Sequence, residues 1–331
     1  MPNPVRRRIL RASSAAAAFT SLSPLRSIAQ GQPYPARPLR IVIPFPPGGP
    51  TDIAARLLAD AMAQEFGQPV IADNRPGAAG NIAAQAVTGA APDGYSVLFS
   101  GSGSHGINPA LYAGKLPFDA ERDFTPIVLV SSSPNLISAG PRFPGSTLVD
   151  FIRIARERPG ALNVGIGSLG TTQHMAVELL KMLASINVTI IPYKGAAPAM
   201  QDLLGGTIDV LADGISASLP QVRAGRIKAL GVTSPQRVPS APDIPSIAET
   251  LPGFSAIAWF GLFGPAKLPR NIVDTINRAA NAALAKPTVR ERYAQAGAEV
   301  MGGTPEQAVA HARSEMKKWA EVVRATGARI D

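Results

Sequence analysis

One stretch decides the fold of this chain: Leu39-Arg-Ile-Val-Ile-Pro-Phe-Pro-Pro-Gly-Gly-Pro-Thr-Asp-Ile-Ala-Ala-Arg56. Its first segment, from Leu39 to Ile43, is mostly branched and apolar, which predicts a buried strand. From Thr51 onward, apolar residues recur at helical spacing, which predicts a helix. A strand, a glycine turn and a helix N-terminus together form a ready anion-binding site. The same residues also fit a tight turn that joins a strand to a helix and binds no ligand.

The glycines and prolines of this turn have separate roles. Gly48 and Gly49 leave their backbone N–H groups bare, while the prolines around them stiffen the chain. Pro50 suits the first helical turn, where an N–H group would have no partner. Asp52 lies in that same turn, where a carboxylate complements the helix dipole and can accept hydrogen bonds from free amides.

Composition and charge limit the possible functions. The chain has 331 residues, enough for two domains, and its 17% charged and 46% hydrophobic residues are typical of a globular protein. Five of the 32 basic residues are arginines within residues 1–29, so the remainder carries a net charge of 27 − 23 = +4. No basic run carries interleaved aromatic residues, so nucleic acid is not an expected partner. The absence of cysteine excludes disulfides and thiolate metal sites, and the three histidines lack metal-binding spacing.

Residues 1–29 are predicted to be an export signal peptide. They begin with Arg6-Arg-Arg-Ile-Leu-Arg11, continue with an alanine-rich, weakly apolar run, and end with the small-residue cleavage site Ser27-Ile-Ala29. The arginine motif resembles a twin-arginine signal, although general secretion is the alternative route. No later run is long and apolar enough to span a bilayer. The mature protein is therefore expected to be periplasmic.

Strands and helices alternate over residues 39–130, and three successive strand ends carry turns of small residues. The turns are residues 44–50, 74–81 and 101–106. Because the carboxyl ends of parallel strands meet at one edge of a sheet, we expect these turns to lie side by side. Their clustering supports a ligand site more strongly than any one of them does.

A second unit of alternating strands and helices begins at Ser131. A strand over residues 127–130 ends the first unit, residues 131–134 are predicted to be a linker, and residues 135–139 start a new sheet. The chain is expected to return over residues 258–265, before its C-terminal helices. This pattern predicts two α/β units joined by two crossings.

Two motifs suggest other chemistries. Gly165-Ile-Gly-Ser-Leu-Gly170 matches G-x-G-x-x-G, but no acid ends the next strand, so no nucleotide cofactor is expected. Ser168 nearly fits the nucleophile elbow G-x-S-x-G, with His105, His174 and Asp213 as candidate partners. A histidine in the first turn of a helix is more often structural, so no catalytic residue is expected. Asp213 ends a strand, where it fits either a ligand contact or a helix cap.

The opening stretch closely resembles the signature of the Bug family, the periplasmic solute-binding proteins of tripartite tricarboxylate transporters. The resemblance runs from about Tyr34 to the C-terminus through an ordered series of motifs, which makes it specific. The further matching motifs are Asn74-Arg-Pro-Gly-Ala-Ala-Gly80, Ala91-Pro-Asp-Gly-Tyr95, Asn108-Pro-Ala-Leu-Tyr112, Thr171-Thr-Gln-His174, Pro192-Tyr-Lys-Gly195, Asp202-Leu-Leu-Gly-Gly206, Ser218-Leu-Pro220 and Trp259-Phe-Gly-Leu262.

The resemblance implies an α/β, two-lobed periplasmic binding protein of type II, a Venus flytrap with a mixed sheet in each lobe. Lobe 1 would consist of residues 30–130 plus 258–331, and lobe 2 of residues 131–257. The protein would act as a monomer without a cofactor or metal.

The resemblance also implies which residues contact the ligand. Family members hold a small carboxylate mainly with loop amides, hydroxyls and ordered water, and Asp213 corresponds to the position that recognises the distal part of the ligand. The family commonly has a run rich in serine and glycine before the Thr-Thr pair. This chain departs from that pattern, because Ile166 and Leu169 interrupt the run and Ser168 stands where glycine is usual. The corresponding residues are Phe45, Gly48, Gly49, Pro50, Thr51, Asp52, Ala79, Gly80, Ser100 and Ser102 in lobe 1, and Ser168, Gly170, Thr171, Thr172, Gln173 and Asp213 in lobe 2.

We therefore expect a solute-binding protein for a small organic carboxylate, with the membrane components of a tripartite tricarboxylate transporter as its partners. Two alternatives stay open at this point. One is an exported α/β hydrolase that uses Ser168, and the other is a ligand-reporting partner of a sensor. Turnover without an added cofactor would distinguish the hydrolase from both binding proteins.

The signal peptide generates the first testable prediction. Cleavage after Ala29 should leave Gln30 as the first residue of the mature protein. N-terminal sequencing of protein from the periplasmic fraction measures this directly. Recovery of a cytoplasmic protein that still begins at Met1 or Pro2 would contradict it.

Overall fold

The computed structural model describes residues 34–112 and 114–330. The predicted export signal and the predicted mature N-terminus at Gln30 lie outside these residues. Within the described ranges, strands and helices alternate along most of the chain, as the sequence predicts. No helix in these ranges has both the length and the apolar character needed to cross a membrane.

The described residues form ten strands, ten α-helices and three short helical turns. The strands are β1 (Leu39–Ile43), β2 (Val70–Asn74), β3 (Ser96–Gly101), β4 (Phe124–Ala139), β5 (Asn163–Ile166), β6 (Thr189–Pro192), β7 (Val210–Gly214), β8 (Lys228–Val232), β9 (Ile257–Pro265) and β10 (Glu299–Gly302). The helices are α1 (Pro50–Phe66), α2 (Asn81–Thr88), α3 (Asn108–Leu111), α4 (Leu148–Glu157), α5 (Thr172–Ala184), α6 (Ala196–Gly205), α7 (Ile215–Arg223), α8 (Arg270–Ala285), α9 (Pro287–Gln295) and α10 (Pro305–Thr326). The turns are two 3-10 turns, Ala78–Gly80 and Ile247–Glu249, and a π-helical turn, Gly103–Ile107.

Two mixed sheets share strand β4. In the first sheet, β2, β1 and β3 are parallel, β9 is antiparallel to β3, and β4 is antiparallel to both β9 and β10. In the second sheet, β7, β5 and β6 are parallel, while β4 is antiparallel to both β7 and β8. The predicted mixed sheet in each half of the molecule is therefore confirmed.

Strand β4 is longer than the sequence predicts. The prediction of a linker over residues 131–134 is wrong, because Ser131, Ser132, Ser133 and Pro134 pair with β9 as part of one continuous strand. Serine and proline are poor strand formers in isolation, but ladder bonds to β9 and the complete burial of the Ser131 side chain override that tendency. From Asn135 onward, the same strand pairs with β7 and β8, so the crossing between the sheets occurs inside a strand.

Helix α10 connects the hydrophobic cores of the two sheets. Its first half contributes Ala308 and Ala312 to a cluster with Trp259 of β9. Its second half contributes Trp319 and Val322 to the core that α5 forms with the second sheet. Its start is capped, since the hydroxyl of Thr304 and the side chain of Gln307 form a capping box.

A buried carboxylate fastens α10 to the returning strand. Glu315 accepts hydrogen bonds from the indole nitrogens of both Trp319, at 3.0 Å, and Trp259, at 3.3 Å. Lys318 pairs with the same carboxylate. Trp259 is 1% exposed, so its buried ring fixes β9 against the helix.

Strands β3 and β9 approach most closely at Gly101. A Cβ atom at this position would overlap the carbonyl oxygen of Trp259 and crowd the Cα of Phe260. Both neighbours are backbone atoms of a paired strand, so neither can move without breaking the ladder. Glycine at this position therefore allows β9 to pair with β3 where the chain returns to the first sheet.

Gly101→Ala should destabilise the protein by about 3 kcal/mol, because overpacking against backbone cannot be relieved by a rotamer change. Gly89→Ala is the matched control, since a Cβ atom there would lie 3.8 Å from the carbonyl oxygen of Gln85, an ordinary contact. Urea unfolding of both variants measures the free energies of unfolding. Equal stabilities for the two variants would show that the close approach is absent.

Candidate functional site

Four loops follow the carboxyl ends of parallel strands. We call them loop 1 (residues 44–49, after β1), loop 2 (residues 75–80, after β2), loop 3 (residues 102–107, after β3) and loop 4 (residues 167–171, after β5). The parallel registers of β1 with β2 and β3 place loops 1 to 3 at one sheet edge, as the sequence predicts. Loop 3 contacts both the turn at the end of loop 2 and helix α5, which follows loop 4.

Asp52 holds loop 1 from inside the first turn of α1. Its side chain is 3% exposed, and its carboxylate accepts hydrogen bonds from the Gly48 N–H at 2.9 Å, from Arg56 Nε at 2.9 Å and from Asn74 Nδ2 at 2.8 Å. Burial alone would raise the pKa of Asp52, but the bonds from Arg56, Gly48 and Asn74 together hold that pKa below its ordinary value. The carboxylate is thus ionised and its charge is balanced by Arg56.

Asn74 and Arg56 also join loop 1 to loop 2. Asn74 Nδ2 donates to the carbonyl oxygen of Phe45 at 2.9 Å, and Arg56 Nη2 donates to Asn74 Oδ1 at 2.8 Å. The two loops therefore keep a fixed relative position. Sequence reasoning missed Asn74 and Arg56 as site residues, although both stand in the motifs that carry the family resemblance.

Two helices begin at these loops with glycine caps. Gly49 is the N-cap of α1 and Gly80 is the N-cap of α2, and neither helix start has a side-chain cap. Pro50 occupies the first helical position, as predicted. Gly80 has a φ of 95° and a Cβ atom there would lie 3.1 Å from Pro44 Cβ, so only glycine fits without strain. Pro50 has no N–H and the Asn81 N–H donates to the Ala78 carbonyl oxygen. The N–H groups that follow them in the first turn have no acceptor within their own helix.

Loop 3 uses its hydroxyl groups internally. Ser102 Oγ accepts from the Trp259 N–H at 2.7 Å and donates to the Trp259 carbonyl oxygen at 3.2 Å. Ser100 Oγ lies 2.6 Å from Ser104 Oγ, which lies 2.8 Å from His105 Nδ1. Ser102 therefore binds strand β9, while Ser100 ends a short hydrogen-bonded chain.

Loop 4 leads into α5 through a threonine cap. Thr171 Oγ1 accepts from the His174 N–H at 3.4 Å and donates to the Ser168 carbonyl oxygen at 2.8 Å. The Gly170 N–H donates to His174 Nδ1 at 3.4 Å. Ser168 is exposed, and its own hydroxyl donates to the Leu169 carbonyl oxygen at 3.2 Å.

The structure does not assemble the triad of the hydrolase alternative. The hydroxyl of Ser168 donates to a carbonyl oxygen. The two candidate bases have other partners, since His174 Nδ1 accepts from the Gly170 N–H and His105 Nδ1 bonds to Ser104. Burial lowers the pKa of both His105 and His174. The geometry therefore gives the hydrolase alternative no support.

Thr172 lies where the two sheets meet. It is 5% exposed, and its Oγ1 accepts a hydrogen bond from Asn135 Nδ2 at 3.2 Å. Asn135 also receives a bond from Thr233, since Thr233 N donates to its carbonyl oxygen at 2.9 Å. The oxygen of Thr172 is thus occupied as an acceptor, and its O–H remains available to donate. Sequence reasoning missed Asn135, whose one signal was an amide side chain at the start of an apolar strand.

Asp213 is the second-last residue of β7. It lies beside loop 4, because its neighbour Ala212 pairs with Ile166, the last residue of β5. Its Oδ1 accepts from the Gly214 N–H at 2.8 Å, while its Oδ2 is buried and has no hydrogen-bond partner among the described residues. Burial raises the pKa of Asp213 to about 6, against a smaller opposing effect of the Gly214 N–H. This carboxyl group therefore changes charge in the range of pH 5 to 7.

Comparisons with known proteins agree with this geometry. A family model described as "Tripartite tricarboxylate transporter family receptor" matches residues 54–328. The chain is 35% identical to the protein BugT of Bordetella pertussis over 298 residues, which cover 90% of this chain and 91% of the relative.

Solved structures of similar length superpose on the whole described fold. An R. palustris protein solved with adipate has a TM-score of 0.80 and 36% identity, covering 89% of this chain and 98% of that one. MatC from Rhodopseudomonas palustris with bound malate has a TM-score of 0.77 and 36% identity, covering 88% of this chain and 100% of that one.

These findings confirm both the resemblance that the motifs carry and the predicted α/β periplasmic binding fold. The chain belongs to the Bug family, the receptors of tripartite tricarboxylate transporters.

Proposed function

We propose that this protein is a periplasmic solute-binding protein that captures a small carboxylate between two lobes and delivers it, as a monomer, to the membrane components of a tripartite tricarboxylate transporter. Lobe 1 comprises residues 30–130 and 258–331, lobe 2 comprises residues 131–257, and β4 and β9 connect them. The signal in residues 1–29 directs export, by the twin-arginine route. The relatives solved with adipate and malate support a small dicarboxylate as the ligand.

One observation carries this proposal: helices with uncapped glycine starts follow the carboxyl ends of strands in both sheets. Gly49 and Gly80 begin α1 and α2 in the first sheet, while Gly195 and Gly214 begin α6 and α7 in the second. Free first-turn amides and the positive end of the helix dipole both attract anions. Because the charge of Asp52 is already balanced by Arg56, it does not oppose an anion at loop 1.

The contacts divide the predicted site residues into two groups. The side chains of Asp52 and Ser102 form hydrogen bonds within the protein. We therefore assign them the role of holding loops 1 and 3. The N–H groups of Gly48, Gly80 and Gly170 also have protein acceptors. The hydroxyls of Ser168 and Thr171 donate to carbonyl oxygens. These five residues would therefore contact a ligand through their other atoms. The proposed ligand contacts are Phe45, Gly48, Gly49, Pro50, Thr51, Ala79, Gly80, Ser100, Ser168, Gly170, Thr171, Thr172, Gln173 and Asp213.

Calorimetry with malate and adipate tests the proposal. The wild-type protein should bind at least one of them, and Thr172→Ala should weaken that binding about ten- to a hundredfold, because a hydroxyl donor to a carboxylate contributes roughly 1.5–3 kcal/mol. Gly80→Val should weaken it further, since a branched side chain resists a φ of 95° and contacts Pro44.

Two control variants separate these effects from general damage. Gly225→Val places the same side chain at a φ of 67° with no atoms within 4 Å, in the α7–β8 turn, and should leave affinity unchanged. Lys194→Ala removes an exposed cation beside Gly195 and should also leave it unchanged. If Lys194→Ala abolishes binding while Gly80→Val does not, a salt-bridged site must replace the amide site.

Asp213 predicts the pH dependence of binding. Since its pKa is about 6, the group is largely neutral at pH 5.5 and ionised at pH 8. An ionised Asp213 repels a bound carboxylate, so affinity for malate should fall about tenfold between these pH values. Asp213→Asn should show a smaller fall in calorimetry at the same two pH values.

The ligand-free protein provides the control for that prediction. The native pKa of Asp213 lies above its ordinary value of 3.8, so between these values the folded state holds a proton that the unfolded state releases. The contribution of Asp213 to stability should therefore decrease as pH rises from 4 to 6. An Asp213→Asn variant whose unfolding free energy keeps the full wild-type pH dependence would contradict the raised pKa.

A further inference from the structure

A chain of three hydrogen-bonding side chains runs inward from the end of β3. Ser100 Oγ lies 2.6 Å from Ser104 Oγ, and Ser104 Oγ lies 2.8 Å from His105 Nδ1. All three side chains are buried, at 5%, 1% and 1% exposure. Ser100 stands at the strand end that adjoins the amides of loops 1 and 2. The donor-to-acceptor direction of these hydrogen bonds therefore decides whether Ser100 presents an O–H donor or only lone pairs to a ligand.

The inner end of the chain lies among aromatic rings. The His105 ring stacks on Phe263 at a centroid distance of 3.8 Å and packs edge-on against Phe124 at 4.5 Å. Its Nε2 has no hydrogen-bond partner among the described residues. Burial lowers the pKa of His105 to about 3, so at neutral pH the ring carries one N–H group, at either Nδ1 or Nε2.

The two tautomers leave different atoms without a partner. With the proton on Nε2, a buried N–H donor faces apolar rings without an acceptor. With the proton on Nδ1, the unpaired atom is an acceptor lone pair, and the N–H donates to Ser104. Among buried backbone groups, N–H donors without partners are rarer than under-satisfied carbonyl acceptors. We infer the same order for the ring nitrogens of His105, which favours the Nδ1–H tautomer.

That tautomer orders every bond in the chain. His105 Nδ1–H donates to Ser104 Oγ, Ser104 Oγ–H then donates to Ser100 Oγ, and the O–H of Ser100 is left to donate outside the chain. The opposite tautomer would reverse the order, so that Ser100 would spend its O–H on Ser104 and present only lone pairs. A carboxylate can only accept hydrogen bonds, so it would be repelled by that second arrangement.

We propose that His105 is a positioning residue that keeps the Ser100 hydroxyl as a hydrogen-bond donor for the bound carboxylate. The inference rests on the proposed carboxylate-binding function. It assigns a role to a buried histidine that touches no ligand and acts only through Ser104 and Ser100.

Nitrogen-15 NMR of the ligand-free, full-length protein tests the direction of the chain without any ligand. The ring nitrogens of His105, identified by their loss in His105→Asn, should show a protonated Nδ1 and an unprotonated Nε2. His174 is the internal reference, because its Nδ1 accepts from the Gly170 N–H and its proton must therefore reside on Nε2. A His105 ring with the same pattern as His174 would overturn the proposal, whatever the protein binds.

A double-mutant cycle with malate, measured by calorimetry, tests the positioning role. Ser100→Ala should weaken binding about ten- to a hundredfold and His105→Leu about tenfold. In the Ser100→Ala background, His105→Leu should have no further effect, because the role of His105 ends at Ser100. Ser104→Ala interrupts the same chain without disturbing the aromatic cluster and should reproduce the tenfold loss if His105→Leu fails to fold.

Control variants distinguish a failure of the positioning role of His105 from a failure of the proposed function. His105→Asn keeps a donor near the position of Nδ1 and should retain most of the affinity. His311→Leu alters a partly buried histidine whose Nε2 also lacks a partner among the described residues. This variant should leave the affinity for malate unchanged. Additive effects of His105→Leu and Ser100→Ala would overturn the positioning role alone. A wild-type protein that binds neither malate nor adipate would instead overturn the proposed function, and the positioning role with it.

Discussion

The continuous strand β4 is the constraint on which the two halves of this molecule depend. Its ladder bonds to β9 belong to the first sheet, and its bonds to β7 and β8 belong to the second. Each connecting strand also donates a hydrogen bond to a hydroxyl oxygen in loop 3 or at the start of α5. Ser102 binds the backbone of Trp259 on β9, and Thr172 binds Asn135 on β4. The loops that would contact a ligand are therefore attached to the strands that join the lobes.

Hydroxyl direction and charge balance are compatible with the proposed binding of an anion without a dedicated cation. Thr172 accepts from Asn135, so its O–H is free to donate. Loop 1 contains an acid, but Asp52 receives Arg56, Asn74 and the Gly48 N–H, so its charge is neutralised locally. Arg56 belongs to the same network, since it donates to both Asp52 and Asn74. What remains for the ligand is a set of amides and hydroxyls at helix starts, whose attraction for carboxylates does not require a salt bridge.

Sequence reasoning predicted the local features of the fold and missed those that depend on distant partners. Strand β1 and helix α1 follow from the apolar pattern and the proline and glycine chemistry within a few residues. The linker prediction at Ser131 failed because pairing with β9 comes from residues far along the chain. Strand β10 and helix α9 were missed because both are short and carry weak apolar periodicity. Asp52 was placed in the site by its motif, but its holding role depends on Asn74, which lies 22 residues away.

The departure of loop 4 from the family pattern has a structural explanation. Ile166 ends β5 fully buried, and Leu169 packs against the same core, so the two unexpected apolar residues anchor the loop to the second sheet. Ser168, between them, faces solvent. Beyond Leu169, Gly170 adopts a φ of 74° and Thr171 caps α5. The apolar anchor therefore lies before the turn, and the start of α5, where the proposed function places ligand contacts, has its own glycine turn and threonine cap.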